Sequence, residues 1–149
     1  MENFIGNADA KVDNKGRVFV PAEFRKILQS EGDSRLILRK DIYEKFLVLY
    51  PVPVWEEELS ALRNKLSKYG KKDRRTYLKF IREANLVEID SSGRILIPKR
   101  YLQIAGISTD VHFVGVDCTI TIEAPDSMEG SEMDDDAFEQ RMNELDDDE

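Results

Sequence analysis

A nine-residue block occurs twice in this chain, and the duplication limits what the chain can fold into more than any other feature. Asp13-Asn14-Lys15-Gly16-Arg17-Val18-Phe19-Val20-Pro21 returns as Asp90-Ser91-Ser92-Gly93-Arg94-Ile95-Leu96-Ile97-Pro98. The offset is 77 residues, with aspartate, glycine, arginine and proline identical in both copies. Asp13 to Gly16 and Asp90 to Gly93 read as turns. An aspartate accepts hydrogen bonds from its own backbone a few residues on, and a glycine reaches positive φ. In the strand that follows, Arg17, Phe19 and Pro21 fall on one face and Val18 and Val20 on the other.

Both copies continue alike. Pro21 leads into Ala22 to Leu28, with Gly32 beyond, and Pro98 leads into Lys99 to Ala105, stopped at Gly106. A proline at entry and a glycine near exit predict a short helix in each. Strand-like runs rich in β-branched and aromatic residues follow, Arg35 to Arg39 and Phe46 to Tyr50, then Val111 to Val114 and Thr119 to Glu123. The unit is a hairpin, a short helix and two strands. One such unit buries little by itself, so the two copies are expected to pair about a pseudo-twofold axis and complete one β-barrel.

Between the copies the period changes to that of helices. Leu59, Leu62 and Leu66 share a face in Trp55 to Tyr69, and Tyr77, Leu78, Ile81 and Leu86 are expected to face inward from Arg74 to Leu86. A helical hairpin joined by Gly70-Lys71-Lys72-Asp73 is predicted. The chain thus divides into a first unit at 1–54, a helical connector at 55–86, a second unit at 87–125 and an acidic tail at 126–149, expected to be mobile. Within the tail, Phe138, Met142 and Leu145 form one stripe of a short helix.

The net charge of -8 hides this division. Residues 126–149 hold 12 acidic side chains and one basic one, so the body carries +3. A slightly basic body with an acidic tail is compatible with nucleic-acid binding where a uniformly acidic protein is not. No apolar run spans a membrane, and a single cysteine, Cys118, excludes an intrachain disulfide. A cytoplasmic location is expected.

Catalytic signals are poor, and no enzyme is expected. His112 has no second histidine or cysteine for a metal site, Cys118 has no evident base, and Gly16 and Gly93 are isolated rather than part of a phosphate loop. No cofactor or metal is implied. The arginines are more informative. Arg17 and Arg94 occupy the same place after each turn, with Lys11 and Lys15 beside the first and Lys99 and Arg100 after the second. Arginine forks onto guanine edges or phosphates, and lysine positions the DNA backbone. These six are the candidate DNA-binding residues, and Asp13, Gly16, Asp90 and Gly93 are the residues that shape and orient the turns. The competing reading pairs Arg17 with Asp13 and Arg94 with Asp90, which locks each turn. A second basic region, 63–82, reads as a solvated helix face, a phosphate contact, or a dock for the acidic tail or another subunit.

The chain resembles the MraZ family of bacterial transcriptional regulators, within the wider AbrB/SpoVT group. The resemblance runs from Phe4 to Glu123. It rests on Phe4-Ile5-Gly6, the Asp13 to Pro21 block with Phe24-Arg25, Leu49-Tyr50-Pro51 before Trp55-Glu56, the Asp90 to Pro98 block, and Val114-Gly115 before Ile122-Glu123. It implies a mixed β/α fold of two tandem AbrB-type swapped-hairpin units, closed as a pseudo-twofold β-barrel. It implies a homo-oligomer, arranged as a ring, that represses a division and cell-wall gene cluster through repeated promoter sites in double-stranded DNA, associated with the nucleoid. It implies that the arginines face DNA while the aspartates hold the turns. Ser92, where the family commonly has lysine or glutamine, and the acidic tail depart from the pattern. The alternative is an antitoxin-like AbrB module with a protein partner, bound through Phe138, Met142 and Leu145.

Overall fold

A computed structural model describes residues 3–126 and 133–147. The elements run β1 (Asn7–Lys11), β2 (Arg17–Phe19), α1 (Ala22–Ser30), β3 (Arg35–Lys40) and β4 (Leu47–Pro51). The helices α2 (Val52–Lys65) and α3 (Lys71–Arg82) follow. The second repeat supplies β5 (Ala84–Glu88), β6 (Arg94–Leu96), α4 (Lys99–Ala105), β7 (Asp110–Val116) and β8 (Thr119–Glu123), and α5 (Asp135–Asp147) comes last. The acidic stretch expected over 126–136 and the last charges of the tail fall partly outside the described residues.

Six strands form one antiparallel sheet in the order β1-β7-β8-β4-β3-β5, and β2 pairs with β6 in a separate two-stranded ribbon. The order exchanges the repeats. β1 of the first copy adds to β7 of the second, and β5 of the second adds to β3 of the first. β4 and β8 meet in the middle, with Val48 opposite Thr121. In the ribbon Val18 faces Ile95, its own equivalent in the other repeat, while Arg17 faces Leu96 and Phe19 faces Arg94. Gly16 O accepts from Ile97 N at 2.8 Å and Gly93 O from Val20 N at 3.0 Å, so each turn grips the other repeat's strand.

Neither sheet closes on itself, which corrects the expectation of a pseudo-twofold β-barrel. Closure would need β1 paired with β5, but among the described residues each is an edge, bonded to one neighbour alone. β1 reads Asn7-Ala8-Asp9-Ala10-Lys11, small and charged residues that suit an edge. The apolar face of the sheet is covered instead by other elements. Val18, Val20, Ile95 and Ile97 come from the ribbon, Phe24 and Leu28 from α1, and Tyr101 and Ala105 from α4. All join one core with Leu36, Leu38, Leu47, Leu49, Val111, Phe113, Ile120 and Ile122. Among the described residues, every core residue lies between Phe4 and Ala124.

The helical connector also differs from expectation. The second helix ends at Arg82, and Ala84 to Leu86, expected to be helical, form part of β5 against β3. Leu78 and Leu86 are exposed rather than inward. The residue that anchors α3 is Phe80, stacked on Trp55 with ring centres 5.5 Å apart. Arg39, only 4% exposed, lies 4.0 Å over the Phe80 ring and donates from Nε to Phe80 O at 3.2 Å. Tyr50 closes the stack edge-on against Trp55 at 5.2 Å, and burial pushes its phenol up to about 12. A cation over an aromatic face is worth about 2 kcal/mol once desolvated, so this stack fixes both connector helices to β3 and β4.

Candidate nucleic-acid interface

The two turns are built alike, bond for bond. Asp13 Oδ1 accepts from the backbone amides of Lys15 and Arg17, both at 2.9 Å, and Asp13 Oδ2 accepts from Arg17 Nε at 2.8 Å. Asp90 Oδ1 accepts from Ser92 and Arg94 amides, again both at 2.9 Å, and Asp90 Oδ2 from Arg94 Nε at 3.1 Å. Gly16 N closes onto Asp13 O at 3.1 Å and Gly93 N onto Asp90 O at 3.0 Å. The amide of Arg17 holds the Asp13 carboxyl below its ordinary pKa, and the amide of Arg94 does the same for Asp90. Both aspartates are therefore ionised at neutral pH.

Of each guanidinium, the carboxylate engages only Nε. Nη1 and Nη2 of Arg17 and of Arg94 make no hydrogen bond among the described residues. The expected competition between locking the turn and presenting a donor therefore resolves into both at once. One nitrogen orients the guanidinium, and the forked end remains to donate.

The ribbon brings these arginines together. Arg17 and Arg94 share its outer face with Phe19 and Leu96, which are 54% and 52% exposed, while Val18 and Ile95 point into the core. Arg94 lies 5.8 Å over the Phe19 ring. Arg17 sits across from Leu96, an aliphatic side chain with no such face to offer.

Both glycines are required by their positions. Gly16 has φ +92°, and a Cβ there would fall 2.7 Å from Ile97 O. Gly93 has φ +91°, and a Cβ there would fall 2.5 Å from Cδ and Nη1 of Arg25. Arg25, on the first turn of α1, thus lies against the second repeat's turn. It was absent from the candidate set. The sequence carries one signal for it: its equivalent 77 residues on is Leu102, so this cation has no counterpart.

The other candidates separate into two groups. Lys15 and Lys99 are exposed, and their ammonium groups have no partner among the described residues. Lys11 is bridged to Asp110 at 2.9 Å, which raises its pKa through that hydrogen bond. Arg100 donates from Nη2 to Tyr101 Oη at 2.8 Å and lies 4.7 Å from its ring centre. Structure therefore brings Lys15, Arg17 and Arg94 to the ribbon and its turns, and engages Lys11 and Arg100 elsewhere. His112, buried on β7, meets Asp9 at 2.7 Å from Nδ1.

The family model described as "MraZ protein, putative antitoxin-like" matches residues 80–125. The chain is 47% identical over 145 residues to the transcriptional regulator MraZ of Bacteroides fragilis, covering 97% of this chain and 92% of the relative. It is 45% identical over 149 residues to the transcriptional regulator MraZ of Bacteroides thetaiotaomicron, covering 100% of this chain and 96% of that one. The MraZ regulator of Coxiella burnetii is 39% identical over 112 residues, 75% of this chain and 73% of the relative.

Proposed function

The chain belongs to the MraZ family of transcriptional regulators, and on that premise we propose that the β2–β6 ribbon is its DNA-reading surface. A two-stranded ribbon fits the major groove, where an arginine fork can span O6 and N7 of guanine. Arg17 and Arg94 are assigned to base edges, and Lys15 and Lys99 to flanking phosphates. Asp13, Gly16, Asp90 and Gly93 hold the turns and aim the forks. The observation that carries this reading is the pair of arginines fixed at Nε on one outward face, with both terminal nitrogens unpaired among the described residues.

The regulated target is a promoter of a division and cell-wall gene cluster, bound at repeated sites by a homo-oligomer that represses by occupancy. Several weak ribbon contacts then add through effective concentration. The two units, 1–54 and 87–125, act as one reading head because their turns lie at opposite ends of a single ribbon. Among the described residues no helix is long and apolar enough to cross a membrane, and the working location is the nucleoid.

Fluorescence anisotropy on the chain's own upstream promoter, with scrambled DNA beside it and a salt series, tests this. Specific binding that weakens steeply with salt supports it. Equal affinity for both DNAs, or none at low salt from a folded oligomer, overturns it in favour of the antitoxin-like reading with a protein partner.

A further inference from the structure

Away from the ribbon, α2 and α3 enclose a groove of about 800 Å³ that the DNA reading leaves unused. Its floor is apolar, built from Leu66, Tyr77, Leu78 and Ile81, with Tyr69 exposed at one end. Its rim is basic, with Arg63, Lys68, Lys71, Arg74 and Arg75. From 63 to 82 there are nine basic side chains and one acidic one, Asp73. That carboxylate is already committed to the Ser67 amide at 2.6 Å, where it shapes the loop between the helices. Lys79 has an acidic partner, Glu83, but lies outside this groove.

The chain also carries a surface of the opposite design. Helix α5 holds six acidic residues and one basic one, Arg141, which is already paired with Glu144 at 2.9 Å. Phe138, Met142 and Leu145 recur at helical spacing along it, and all three are exposed. The stripe from Phe138 to Leu145 is about 10 Å long and the α3 wall from Lys71 to Ile81 about 15 Å, at 1.5 Å per residue. The stripe therefore fits within the wall.

We infer that the groove between α2 and α3 receives helix α5 of a second copy of this chain, with Phe138, Met142 and Leu145 on the apolar floor and the acidic flanks against the basic rim. An amphipathic helix satisfies both features of the groove. A phosphate backbone would use the rim and leave the apolar floor unmatched. The groove and the stripe are both uncovered in the same folded chain, so the contact is available between chains, head to tail. Such a heterologous contact propagates from copy to copy and is sensitive to salt. It is independent of the ribbon.

Two intact variants test it. One carries Phe138→Ser, Met142→Ser and Leu145→Ser, which removes the stripe and keeps the groove. The other carries Arg74→Glu and Leu78→Ser, which removes the groove and keeps the stripe. All five positions are exposed, and circular dichroism checks that both variants fold. The stripe variant is immobilised and each variant is flowed over it. The expected result is capture of the groove variant about tenfold more strongly than of the stripe variant, with the difference gone near 0.5 M salt. Equal capture of the two overturns the contact. The unsubstituted chain is also weighed beside each variant by sedimentation: a fall in assembled mass on either set of substitutions is expected, and an unchanged mass, as docking of α5 on its own chain would give, overturns the contact between copies. Unchanged capture with a loss of promoter affinity in the groove variant assigns the groove to nucleic acid and overturns the inference as well. Should Leu78→Ser unfold the chain, Lys71→Glu with Arg74→Glu, both on the exposed rim, replaces that pair with the same expected outcome.

Discussion

The two turns share their backbone bonds and differ in what surrounds them. Asp13 and Asp90 accept the same three bonds from the same relative positions, and each turn's glycine carbonyl binds the other repeat's strand. Around that common frame the first turn carries Lys15 where the second has Ser92. The second has Arg25 against it, and its arginine lies over Phe19 rather than beside an aliphatic residue. What repeats is what a tight turn needs to exist. What differs is the charge offered outward, so one pseudo-symmetric ribbon presents two unequal ends.

The largest way to break the comparison lies under the ribbon. Phe24 and Tyr101 are equivalents 77 residues apart, and both are 1% exposed. Phe24→Ala should cost about 3–5 kcal/mol in urea denaturation. Tyr101→Phe should cost less, about 1–2 kcal/mol, because it removes the bond from Tyr101 Oη to Glu83 O and the bond from Arg100 Nη2 to Tyr101 Oη but keeps the ring. Next come the glycines. Gly16→Ala drives its Cβ into a backbone oxygen that cannot move alone, whereas Gly93→Ala meets the flexible Arg25 side chain. Both carry the positive-φ strain, so losses of about 3 and about 1 kcal/mol respectively are expected, and equal losses would show that the turns are equally constrained.

The outward difference is smaller and can be exchanged. Lys15→Ser should flatten the slope of log affinity against log salt by about 1, and Ser92→Lys should steepen it by about 1. No change from Lys15→Ser would remove this residue from the phosphate contacts. The smallest effect is in acid. The folded pKa of Asp13 and Asp90 lies below the unfolded value, so their contribution is complete at neutral pH and is lost as pH falls through the folded pKa, below about 4. Asp13→Asn with Asp90→Asn should reduce the pH dependence of thermal stability in that range. An unaltered acid profile would mean that the turn carboxylates are not linked to folding.

Most of the turn chemistry was legible because it is local. Asp, Gly and Arg at fixed offsets specify bonds within five residues, and the alternation of Val18 and Val20 with Arg17 and Phe19 specifies a face. The sheet's closure was not legible, since it depends on whether β1 and β5 meet, and strand pairing across 77 residues leaves no mark in either strand alone. The same limit hid β5. Ala84 to Leu86 continue a helical apolar period, and only β3 beside them makes them a strand. Phe80 was missed because its partners, Trp55 and Arg39, come from other elements. Arg25 was missed because it belongs to one repeat in sequence and to the other repeat's turn in space.

The most direct test of the central claim is promoter specificity of Arg17→Lys, measured as the ratio of affinities for promoter and scrambled DNA at fixed salt. Lysine keeps the charge and loses the fork. The account predicts that affinity for scrambled DNA is retained while the ratio falls by about tenfold or more, corresponding to the loss of one bidentate base contact. An unchanged ratio in a folded, DNA-binding variant would contradict the assignment of Arg17 to a base edge.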